Sequence, residues 1–101
     1  MNTVETDKQI QEASHKVKEP SLYQVVMHKD DYTPMDFVVA ALETFFHMDK
    51  NKAVQITLQI RTLGKAVCGI YTKDIAVTKI DEVVDHARRH EHPLLCSIEG
   101  T

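Results

Sequence analysis

Glycine and proline are scarce in this 101-residue chain, with three of each, and cysteine is scarcer still, with two. Gly64, Gly69 and Gly100 stand apart, so no glycine-rich loop is available to cradle a phosphate. Cys68 and Cys96 form no Cys-x-x-Cys pair, which removes the common zinc modules and redox dithiols. Both lie in apolar sequence and read as buried structural thiols, with no disulfide expected. Positive charge is also short: 12 Lys and Arg stand against 15 Asp and Glu, for a formal net charge of -3. The basic face of a nucleic-acid binder is therefore missing. No apolar run reaches the roughly 18 residues that a membrane span needs. Residues 1–20 lack the apolar core of a signal peptide, which makes the cytoplasm the expected compartment.

The 43% of hydrophobic and 27% of charged residues are ordinary for a globular chain. The length suits one domain with a small core, so any site must lie near the surface. Residues 1–20 are polar and mixed in charge and read as a flexible arm that ends at Pro20, leaving 21–101 as the folded core. A short helix around 8–17 would have little to pack against.

Leu22–Met27, rich in β-branched and aromatic residues, predicts a strand. After a loop, Thr33 suits a helix cap, Pro34 the first helical position and Asp36 the capping box. Met35, Val38, Val39, Leu42 and Phe46 then recur at helical spacing. Asp49 is placed to cap a second helix with Ala53, Ile56, Ile60 and Leu63 on one stripe, and Gly64 to stop it. Lys65–Ala76 reads as a long strand. Thr78 and Asp81 predict the start of a third helix carrying Ile80, Val83, Val84 and Ala87. Pro93 forbids its continuation, and Leu94–Ile98 predicts a last strand. The order β-α-α-β-α-β implies an α+β domain, with a three-stranded antiparallel sheet packed on three helices.

Candidate chemistry is sparse. His86 and His90 are four apart on a predicted helix and His92 follows, but Arg88 and Arg89 oppose a cation there. These histidines read as a solvated helix end, where positive charge is favourable; no metal or other cofactor is expected. Ser14, Ser21 and Ser97 sit in no glycine-flanked elbow, so no catalytic nucleophile is expected and the chain reads as a non-enzyme. The segment HKDDYTPM (His28–Met35) remains. Its two consecutive acids allow two readings: a polar turn that favours the following helix dipole, or a small anionic pocket beside apolar residues, suited to an α-amino group.

Three blocks, DDYTPMDFV (Asp30–Val38), GKAVCGIYT (Gly64–Thr72) and EHPLLCSIE (Glu91–Glu99), resemble in order the ClpS adaptor family, from about Pro20 to the C-terminus. The resemblance implies the same β-α-α-β-α-β fold and a monomer without enzymatic activity. It implies binding of N-terminal degrons with a bulky hydrophobic first residue, and their delivery to an AAA+ Clp unfoldase of the ClpA type. Carried over by position, Asp31 would accept hydrogen bonds from the substrate's α-amino group, with Asp30 adding to the field. Thr33, Met35, Val38, Thr57, Ile60 and Leu94 would line the pocket for the first side chain. Asp74 and Lys79 would dock on the unfoldase's N-terminal domain, and residues 1–20 would serve as the extension needed for delivery. Three positions depart from the family pattern: Lys29 replaces an Asn, Arg61 a His and Thr57 a gatekeeping Met. Two groups that would hold the α-amino group have thus become cations, and Arg61 could itself close a pair with Asp31. Sequence leaves open whether N-degron binding persists or the pocket has closed or moved to another ligand.

Overall fold

The computed structural model describes residues 21–101; the arm and the possible helix within it lie outside the described residues. The elements are β1 (Leu22–His28), α1 (Met35–Phe46), α2 (Lys50–Leu63), β2 (Lys65–Thr72), α3 (Lys73–Arg89) and β3 (Leu95–Gly100). The three strands form one antiparallel sheet in the order β2-β1-β3. Architecture and element order agree with the sequence reading.

β1 is the central strand, and its Val25 and Met27 are fully buried. One residue of β2 is inserted as a bulge: Val25 pairs with Gly69 and Val26 with Val67, leaving Cys68 between them. The helices cover one face of the sheet. α1 buries Val38, Ala41, Leu42 and Phe46, and α2 buries Ala53, Ile56, Thr57 and Ile60. α3 buries Ala76, Val83 and Ala87. Burying a side chain such as Leu42 contributes about 2 kcal/mol.

The second helix starts and stops as its sequence predicts. Asp49 accepts a hydrogen bond from the Lys52 N–H at 2.8 Å, and Gly64 takes the left-handed conformation at φ 91°. The other two starts differ. Pro34 is the boundary residue of α1, with extended backbone, and makes no side-chain cap. The Thr33 hydroxyl donates backwards to Asp30, and Asp36 accepts from the neighbouring Phe37 N–H.

The long strand expected to reach Ala76 ends at Thr72, and α3 begins at Lys73, five residues before Thr78. Packing overrides the β-branched character of this stretch: Ala76, Val83 and Ala87 share one buried stripe that only a helix can present. Thr78 is inside that helix and its hydroxyl donates to the Asp74 carbonyl at 3.0 Å. Among the described residues no helix is long and apolar enough to cross a membrane.

Candidate functional site

The segment after β1 is tied down at two points. The Lys29 N–H donates to the Gly64 carbonyl at 2.9 Å, which joins the loop to the end of α2. Asp30 then organises the turn. Its Oδ1 accepts from the N–H groups of Tyr32 and Thr33, both at 2.8 Å, and its Oδ2 accepts from the Thr33 hydroxyl at 2.8 Å. This is a carboxylate satisfied from inside the loop.

Below the loop lies a small cavity of about 20 Å³. Lys29, Asp30 and Thr33 from the loop, Met35 and Val38 from α1, Thr57, Ile60 and Arg61 from α2, and Leu94 before β3 all line it. Nine of the ten residues expected at one pocket are therefore brought together. The tenth, Asp31, is absent from the wall. Its side chain is 78% exposed and pairs with Lys29 Nζ at 2.9 Å. That hydrogen bond and the ammonium charge hold the Asp31 carboxyl below its ordinary value. Lys29, and not Arg61, thus occupies the expected amine acceptor; among the described residues Arg61 makes no ion pair.

Met27 and His28 also line the cavity, and sequence reasoning passed over both. The inward alternation of β1 could have identified Met27 as floor. Nothing comparable marks His28, whose Nε2 lies 2.7 Å from the Ser97 hydroxyl across the sheet. Thr57 is 1% exposed, and its hydroxyl donates to the Ala53 carbonyl at 2.8 Å. Its donor is satisfied within α2, so what the cavity meets there is mainly the methyl group.

Asp74 and Lys79 occupy different places. Asp74 is exposed in the first turn of α3, in a shallow depression with Tyr23 and Thr72. Lys79 is half-buried and its ammonium donates to the Phe45 carbonyl at 2.7 Å, capping the end of α1. It borders an open groove of about 750 Å³ with Phe45, Asp85 and Arg88.

The three histidines surround an aromatic ring. Phe37 stacks on His86 at 5.3 Å between centroids and meets His92 edge-on at 4.5 Å. Among the described residues no group of three His, Cys, Asp or Glu side chains is arranged to hold a metal ion. Cys68 is buried and Cys96 half-buried, both free, and burial pushes each thiol up to about 12.

The family profile described as "ATP-dependent Clp protease adaptor protein ClpS" matches residues 18–97. The chain is 50% identical over 91 residues to the ATP-dependent Clp protease adapter protein ClpS of Alkalilimnicola ehrlichii, covering 90% of this chain and 86% of that protein. Against the same-named protein of Methylococcus capsulatus it is 51% identical over 90 residues, covering 89% and 85%. Among solved structures, Agrobacterium tumefaciens ClpS2 bound to L-phenylalaninamide superposes with a TM-score of 0.80 at 32% identity, covering 82% of this chain and 100% of that one.

Proposed function

Since the chain belongs to the ClpS family of ATP-dependent Clp protease adaptors, we propose that it captures the N-terminal residue of substrate proteins in the cavity beneath the Lys29–Thr33 loop. One observation carries this reading: an apolar cavity under a charged rim, in a chain resembling an adaptor solved with L-phenylalaninamide. That ligand pairs an α-amino group with a bulky apolar side chain. Here the side chain enters between Val38, Thr57, Ile60 and Leu94, and the α-ammonium competes with Lys29 for Asp31.

The cavity is small, at about 20 Å³, so an entering Phe or Leu side chain is expected to displace part of its wall. Met35 is 36% exposed at the cavity and unbranched, so it can swing aside on three rotatable bonds. The exposed part of α3 around Asp74 docks on the N-terminal domain of a ClpA-type unfoldase. Lys79 supports that surface by fixing the end of α1. The chain works as a cytoplasmic monomer, with residues 1–20 acting in delivery, and catalyses no reaction.

The small cavity supports one rival, a module that docks on the unfoldase with its cavity shut. Anisotropy titration of a labelled peptide with a free N-terminal Phe, beside its acetylated copy, separates the two. Saturable binding of the free peptide alone is expected. Binding of neither, with docking intact, would establish the rival.

A further inference from the structure

The rim of the cavity and its loop carry four charged side chains, and three are matched. Asp30 is taken by Tyr32 and Thr33, and Lys29 and Asp31 hold each other at 2.9 Å. The fourth, Arg61, lines the cavity, is exposed, and makes no ion pair among the described residues. It stands in the last turn of α2, where a cation favours the helix dipole. The Lys29–Gly64 hydrogen bond fixes that helix end beside the loop.

Lys29 is in effect an internal ammonium on Asp31. A substrate α-ammonium that takes Asp31 displaces Lys29 with its charge intact. The occupied rim then presents two cations, Lys29 and Arg61, to whatever follows the first residue of the substrate. With that first side chain in the cavity, the second residue sits at the rim, within reach of both long stems. A guanidinium matches a carboxylate in a two-point fork, and a lysine ammonium matches it as a point charge.

We infer that Arg61 and Lys29 read the second residue of the bound peptide, and that the chain selects N-degrons with Asp or Glu at that position. The inference rests on the proposed capture of a peptide N-terminus. Each exposed pair changes affinity by roughly 1.5- to 5-fold, so Asp at position two is preferred over Ala by about 5-fold at low salt. Lys at position two is disfavoured by like charge.

The test is an anisotropy titration with labelled peptides beginning with Leu and carrying Asp, Ala or Lys second, plus an acetylated Leu-Asp copy. The protein is the full chain, as wild type, Arg61→Gln, Arg61→Lys and Lys29→Asn. The expected order for wild type is Asp, then Ala, then Lys, with the spread shrinking as salt rises. Arg61→Gln should compress the Asp preference to within about 2-fold, and Arg61→Lys should restore part of it. Lys29→Asn should tighten the Ala peptide by freeing Asp31. Equal binding of the three free peptides, or a preference untouched by Arg61→Gln, overturns the inference and leaves capture standing. Failure of every peptide, or equal binding of the acetylated copy, overturns capture and the inference together.

Discussion

Replacing Asp30 by Ala should unfasten the loop over the cavity, and the structure sets the size of the effect. The Tyr32 and Thr33 N–H groups lose the oxygen they share at 2.8 Å; by analogy with helix caps this costs about 1 kcal/mol. The Thr33 hydroxyl, on a residue only 9% exposed, loses its acceptor. A buried hydroxyl left unsatisfied costs about 1–3 kcal/mol. Together Asp30→Ala is expected to remove about 3 kcal/mol, a shift of roughly 12–24 °C in Tm for a domain of this size. Asp30→Asn keeps one acceptor oxygen and should cost only about 1 kcal/mol. Thr33→Val removes the stranded hydroxyl, so added to Asp30→Ala it should recover about 1–2 kcal/mol. Urea unfolding followed by circular dichroism at pH 7 gives all four corners of that cycle, with a constant m-value as the check on two-state behaviour. An Asp30→Ala variant within 0.5 kcal/mol of wild type would refute the assignment of Asp30 as the loop's organiser, as would additive effects of the two substitutions.

Three further outcomes are expected. Both thiols, pushed up to about 12 in the folded chain, stay protonated where unfolded thiols ionise near 8.5. Stability therefore holds below that value and falls as pH rises towards 12, by about 2–3 kcal/mol between pH 8 and 9.5. Urea titrations at both pH values check this, and a variant with Cys68→Ala and Cys96→Ala should lose the dependence. Lys79→Met strips the Phe45 carbonyl of its 2.7 Å donor and should cost about 1 kcal/mol; an unchanged melting curve would remove the capping role. A chain beginning at Ser21 should unfold cooperatively in the same urea assay, and a broad, non-cooperative transition would make residues 1–20 structural.

The element order and the cavity wall were legible in the sequence for separable reasons. Helical spacing and the Asp49 and Gly64 signals are local, so they survive in the structure. The wall from Thr33 to Leu94 came from the resemblance, since no periodicity says that a loop, two helices and a strand end converge. The start of α3 was hidden because the β-branched run Ile75–Thr78 favours a strand locally, and only packing of Ala76 against the core reverses it. The partners that Asp30, Lys29 and Lys79 take were not legible, for one shared reason. Which polar partner a flexible or exposed side chain takes depends on neighbours brought close by folding, such as Thr33, Asp31 and the Phe45 carbonyl. Charge counting along the chain does not contain that choice.

The most direct measurement is an NMR titration of the isotope-labelled chain with L-phenylalaninamide. Amide shifts concentrated at Lys29, Asp30, Thr33, Thr57, Ile60 and Leu94, saturating together, are the expected result. Shifts gathered instead around Lys79, Asp85 and Arg88, or none at all at saturating ligand, would contradict capture of an N-terminal residue in this cavity.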